Sequence, residues 1–155
     1  VDAINTLATA HNVNRSNIIV DEDGVGGGVK DYLNCLGFVN NSKPVKYRNK
    51  EENFVNLKTQ CYYRLGDRVM RDEVKINDKV SSKMYNNNMT IKQRFLYERK
   101  AIKRDKVDSD GKLKIISKDE MKSKMGGDSP DLMDMFMMRE LFELKPKIIF
   151  AYANN

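Results

Sequence analysis

The residues of this chain that could do chemistry are mostly carboxylates. The segment Ile18-Ile19-Val20-Asp21-Glu22-Asp23-Gly24-Val25-Gly26-Gly27-Gly28-Val29 places acids between a β-branched run and a glycine loop. A strand, a glycine turn and a helix in that order can cradle phosphate. The Walker pattern, however, needs Gly-Lys-Ser/Thr at the helix start, and Gly28 is followed by Val29 and Lys30. The dinucleotide fingerprint fails too, because Val29 stands at the third glycine position. What remains is Asp21 at the carboxyl end of a strand, where open α/β sheets place their sites. A glycine turn carrying solvated acids is the alternative.

A second group is Asp131-Leu132-Met133-Asp134, with two carboxylates at i and i+3 on one helix face, close enough to share a cation. Both fall in a first helical turn, where the dipole favours anions, so a purely structural role is also natural. The neighbouring Met133, Met135, Met137 and Met138 suit core packing better than ligation. A third group, Lys112, Lys114, Lys118, Lys122 and Lys124, reads either as a solvated face or as phosphate contacts. The lone His11 lies at a helix end and is expected to be a surface or cap residue. Cys35 and Cys61, 26 positions apart, fit no metal or redox spacing and are expected to be reduced core thiols of a cytosolic protein.

These groups must be held by an α/β framework. Val1 to Asn12 has apolar residues at helical spacing. Ile18 to Val20 reads as a buried strand, Val29 to Leu36 as a helix stopped by Gly37, and Pro44 to Tyr47 as a second strand. Asn49 is expected to cap a long helix over Lys50 to Met70, with Glu52 at its third position. A short edge strand over Val74 to Ile76 and a mobile loop near 77–90 follow. Ile91 to Ile102 reads as a helix, Asp108-Ser109-Asp110-Gly111 as a turn, and Leu113 to Ile116 as a strand. Ser117 and Glu120 form a capping box for a helix to Met125, ended by Gly126-Gly127. Ser129 and Pro130 then open a last helix to about Glu143. Strands alternating with helices argue a sheet flanked by helices.

At 155 residues the chain suits one domain, 40% of it apolar and 32% charged. No apolar run reaches membrane-spanning length, and Val1 to Ala10 lacks the basic start of a signal peptide. The net charge of +6 is unevenly distributed. Residues 1–42 carry 2 basic and 5 acidic side chains, and residues 43–106 carry 18 and 8. Residues 107–127 are net +1 and residues 128–155 net −2. A basic middle between acidic ends suits either a lysine-rich solvated surface or an acidic site beside a nucleic-acid face.

Three blocks taken in order resemble one family, the large subunits of tailed-bacteriophage terminases, in their C-terminal nuclease domain. The blocks are Ile18 to Val29, then Tyr47-Arg48-Asn49-Lys50 with Phe54 to Tyr63, and then Ser117 to Lys122 running into Gly127-Asp128-Ser129-Pro130-Asp131-Leu132-Met133-Asp134. The resemblance covers about residues 1 to 143. It implies an RNase H-like mixed sheet flanked by helices, and a metal-dependent endonuclease that cuts viral DNA during packaging. By position it implies that Asp21, Asp131 and Asp134 are the catalytic, metal-holding acids, with Asp23 the alternative to Asp21 if the strand register is shifted. Lys114, Lys118 and Lys122 are then expected to contact nucleic acid. The resemblance implies two divalent ions, and oxygen donors without His or Cys suit Mg²⁺ or Mn²⁺ over Zn²⁺. The implied partners are double-stranded DNA and other terminase or portal proteins of a packaging motor, in the cytoplasm of a bacterial host and away from membranes.

The family also has a catalytic Asp on a three-stranded meander ahead of the helix that starts here at Val1, and an ATPase motor with Walker motifs. Neither is present in this chain. It is therefore expected to be a single nuclease-like domain over 1–155, incomplete at its N-terminus, with weakened metal binding. A non-catalytic DNA- or protein-binding remnant and an RNase H-like junction resolvase are the competing functions.

Overall fold

The computed structural model describes residues 1–23, 26–106 and 110–145. Ile19 and Val20 favour extended backbone, and β1 (Ile19–Asp21) runs parallel to β2 (Leu36–Phe38). The register pairs Ile19 with Leu36, Val20 with Gly37 and Asp21 with Phe38. A parallel pair needs a crossover, and α2 (Gly26–Leu33) supplies it. This corrects the expected helix through Leu36. Asn34 takes a φ of 48°, a left-handed conformation that Asn tolerates, and the chain turns back there. Leu36-Gly37-Phe38 then becomes a strand, with Phe38 fully buried.

Ahead of this unit, α1 (Asp2–Ala10) forms where the periodicity places it, yet none of its residues is buried. After β2, Pro44 to Tyr47 is not a strand. Tyr47 and Lys50 form an isolated antiparallel bridge around Arg48 and Asn49, both at positive φ. Asn49 is thus a turn residue, and the long helix α3 (Leu57–Met70) starts seven residues later than expected. Its cap is Asn56, whose side chain accepts from the Thr59 amide. Residues 53–55 are spent pairing with Leu113 instead, through Leu113 N–H to Asn53 and Val55 N–H to Leu113. Glu52 reaches along α3 to bind Arg64 at 2.6 Å and Gln60 at 2.8 Å.

Val74 to Ile76 forms no strand. In place of the loop expected near 77–90 stand α4 (Asp78–Ser81), capped by Asn77, and a hairpin of β3 (Met84–Asn86) and β4 (Met89–Thr90). Next, α5 (Ile91–Ala101) starts in a capping box of Thr90 and Gln93. Leu113 to Ile116 makes single bridges, Leu113 with Phe54 and Ile115 with Arg104, rather than a named strand. The turn at Asp108-Ser109-Asp110-Gly111 lies partly outside the described residues. The Ser117–Glu120 box opens α6 (Lys118–Lys124), and Gly126 and Gly127 follow at positive φ. The last expected helix is two, α7 (Asp131–Arg139) and α8 (Leu141–Leu144), parted at Glu140.

The core lies between α3 and α7. Leu57, Cys61, Tyr62 and Leu65 on α3 pack with Met133 and Met137 on α7, together with Phe38, Ile115 and Met121. The methionines at 133 and 137 are core residues as expected, while Met135 is half exposed. Phe95 and Phe136 meet edge to face, with centroids 5.0 Å apart, joining α5 to α7.

Candidate metal and phosphate site

Asp21 is the last residue of β1. Its Oδ1 accepts from the Asp23 amide at 3.1 Å and from Asn40 Nδ2 at 3.2 Å. Asp23 Oδ2 accepts from the same Asn40 Nδ2 at 2.7 Å and from the Asn40 amide at 3.0 Å. The pairing of Asp21 with Phe38 brings Asn40 alongside, two residues beyond β2. One amide side chain therefore bridges two carboxylates at the carboxyl end of a strand. Each acid keeps one oxygen without a protein partner among the described residues.

These groups line a cavity of about 530 Å³. Lys58 of α3, Lys114 and Lys118 also line it, so carboxylates and ammonium groups share one open space. Lys114 is also 3.4 Å from Asp105. Lys122, half-buried on α6, does not line the cavity.

Asp134 sits behind this wall, in the first turn of α7. The buried Tyr62 hydroxyl donates to its Oδ1 at 2.6 Å, and Lys58 Nζ lies 3.1 Å from the same oxygen. Lys118 Nζ is 3.5 Å from Oδ2. Burial, and after it the Asp134 charge, hold the Tyr62 hydroxyl protonated well above its ordinary range. It therefore stays a donor. Asp131 is exposed and makes no ion pair among the described residues. Asp21 thus reaches the cavity, Asp134 is one ion pair removed from it, and Asp131 stands apart. Among the described residues no three His, Cys, Asp or Glu side chains converge as a ligand set.

The donor chemistry at Asp21 and Asp23 fits a hard divalent cation, because two carboxylates are drawn to one amide with an oxygen of each uncommitted. Asp134 fits less directly, since both its oxygens already face ammonium groups. Sequence reasoning missed Asn40, Lys58 and Tyr62. Lys58 and Tyr62, four apart on α3, share a helix face and were open to detection. Asn40 lies in a loop with no periodic signal.

No family model matches this chain, and no curated protein matches it by sequence. Among solved structures it is similar to a lysine-to-alanine mutant of the nuclease domain of the large terminase subunit gp2 of bacterial virus Sf6 with manganese. The TM-score is 0.64 at 24% identity, over 86% of this chain and 68% of that one. The calcium form of the same mutant gives 0.63 and 24%, over 86% and 67%. The chain shares the α/β fold of that terminase nuclease domain.

Proposed function

We propose that this chain is the metal-dependent DNA endonuclease domain of a phage terminase, cutting viral DNA by two-metal hydrolysis during genome packaging. The observation that carries this reading is the cavity where the bridged acids Asp21 and Asp23 face Lys58, Lys114 and Lys118. Acids suited to cations beside lysines suited to phosphate are what phosphodiester cleavage requires. The manganese and calcium in the Sf6 structures support a divalent ion, and Mg²⁺ or Mn²⁺ is the expected cofactor.

In this reading Asp21, Asp131 and Asp134 are the catalytic acids that hold the ions, with Asp23 assisting Asp21. When bound, the ions would lower the pKa of a water and stabilise the leaving oxygen. The chain's own residues do the rest. Asn40 holds Asp21 and Asp23 in register. Tyr62 fixes the Asp134 carboxylate in one orientation. Lys114 and Lys118 hold a backbone phosphate at the cavity mouth, and Lys122 meets the duplex further out. The partners would be double-stranded DNA and the other terminase or portal proteins of a packaging motor in the bacterial cytoplasm. No helix among the described residues is long and apolar enough to cross a membrane.

The test is nicking of supercoiled plasmid with Mn²⁺ or Mg²⁺, by the chain alone and by one extended upstream. Cleavage that Asp21→Asn and Asp134→Asn each abolish is expected. Equal cleavage by Asp134→Asn sinks the site assignment. A second reading, a DNA-binding module without cleavage, is favoured by the lysines that already neutralise Asp134. Salt-sensitive DNA binding without nicking by either protein would select it.

A further inference from the structure

The first turn of α7 carries Asp131 and Asp134, yet its capping position is Pro130, which gives no side-chain cap. Ser129, expected to cap this helix, does not do so. The first amides of a helix have no partner within it and must find one elsewhere. Here the partner comes from another helix. Glu98 of α5 is fully buried, and its Oε2 accepts from the Met133 amide at 2.8 Å. Its Oε1 accepts from Arg94 Nε at 2.6 Å.

Arg94, 5% exposed, uses every nitrogen of its guanidinium. Nη1 donates to Asp128 Oδ2 at 2.7 Å and Nη2 to the Ser129 carbonyl at 2.8 Å. Tyr85 of the β3–β4 hairpin covers the group, its ring centroid 5.0 Å from the Arg94 Cζ. Two side chains of α5 therefore grip three points of the chain between Asp128 and Met133. Asp134 is the next residue.

A buried ion pair adds little net stability over well-packed apolar residues of the same volume. What this pair provides is a fixed origin for α7. We propose that Glu98 and Arg94 are positioning residues that set the placement of Asp131 and Asp134 for cation binding. The proposal rests on the function proposed above. Neither residue touches the cavity, and both act through the backbone they hold. A helix start with no local side-chain cap would otherwise fray. Asp134 would then lose its fixed place against Tyr62, Lys58 and Lys118 beside the cavity.

The experiment measures Mn²⁺ binding to the purified chain, without DNA, from the paramagnetic signal of the free ion, beside melting temperature. The proteins are wild type, Glu98→Gln, Arg94→Lys, Asp134→Asn and Ala101→Gly. Glu98→Gln keeps an oxygen acceptor but loses the charge. Arg94→Lys keeps the charge beside Glu98 and loses the fork to Asp128 and Ser129. Ala101→Gly loosens the buried end of α5 without touching that network. Wild type should bind Mn²⁺, and Asp134→Asn should lose that binding. Glu98→Gln and Arg94→Lys should bind about 10- to 100-fold more weakly, the usual effect of removing a residue that orients a ligand. Ala101→Gly should bind as wild type despite its lower melting temperature.

Wild-type affinity in both Glu98→Gln and Arg94→Lys overturns the inference alone. So does an equal loss in Ala101→Gly, which would reduce the effect to general stability. If wild type binds no Mn²⁺, or Asp134→Asn binds equally well, the metal-site reading fails first and takes this inference with it. Should Glu98→Gln fail to fold, Arg94→Lys against Ala101→Gly decides.

Discussion

Replacing Tyr62 by Phe removes one hydroxyl from beneath the candidate site and little else. That hydroxyl donates at 2.6 Å to a carboxylate, a bond of the charge-assisted class. Hydrogen bonds to charged groups contribute about 1.5–3 kcal/mol. The full figure does not apply here. Asp134 Oδ1 keeps Lys58 at 3.1 Å, and 17% of its side chain is solvent-exposed, so no acceptor is orphaned by the change. The expected loss is about 1–2 kcal/mol, or about 2–4 °C of melting temperature per kcal/mol for a chain of this size. In an Asp134→Asn background the bond is neutral, and the same substitution should cost about 0.5–1 kcal/mol. Urea unfolding at pH 7 of wild type, both single variants and the double variant closes the cycle. A coupling of about 1 kcal/mol is expected between the two residues. Equal cost of Tyr62→Phe in both backgrounds would show that the hydroxyl does not hold Asp134.

Two further predictions concern the frame around the site. A Cβ on Gly26 would run into the Asp21 carbonyl, whereas one on Gly28 meets nothing within 4 Å. Gly26→Ala should therefore lower the melting temperature, while Gly28→Ala, inside α2, should be neutral or gain about 0.5–1 kcal/mol. Equal behaviour of the two would refute the close approach of α2 to β1. Burial raises the Glu140 carboxyl above its ordinary 4.5, against the opposing pull of Arg68 and Arg139. A carboxyl raised in the folded state contributes stability fully present below the unfolded value and lost as pH rises through the folded one. Glu140→Gln should thus gain on wild type between pH 4 and pH 7, read as melting temperature against pH. A melting temperature of Glu140→Gln that falls relative to wild type as pH rises over that range contradicts the raised value.

Much of the frame is readable in the residues. The Ser117–Glu120 box, the β-branched run into Asp21 and the α3 stripe through Cys61 and Leu65 each carry a local physical signal, and each is realised, although the strand is half-buried and not buried as expected. The misses share one cause, tertiary partners that override local preference. Asn49 has the chemistry of a helix cap, but the turn from Tyr47 to Lys50 claims it, and the chain at 53–55 is drawn to Leu113. Ser129 and Pro130 have the pattern of a helix start, yet the acceptor comes from Glu98, 35 residues away. Gly37 reads as a helix stop because nothing local reveals that Phe38 will be buried beside α3.

The candidate site divides the same way. Asp21 is legible because its strand is. The convergence of Asn40, Lys58 and Tyr62 on the acids is a product of packing and has no counterpart in spacing along the chain, apart from the shared α3 face of Lys58 and Tyr62. The placement of Lys118 against Asp134 likewise depends on how α6 and α7 meet.

The central claim is that the acids at the end of β1 and the start of α7 hold divalent cations. Its most direct test is a crystal structure of the chain grown with Mn²⁺, with the ion located by anomalous scattering. A peak is expected about 2.0–2.6 Å from an Asp21 carboxylate oxygen, the range of hard cation–oxygen bonds, with Lys118 displaced from Asp134. Mn²⁺ bound elsewhere, or absent from Asp21 and Asp134 at saturating concentration, would contradict the claim.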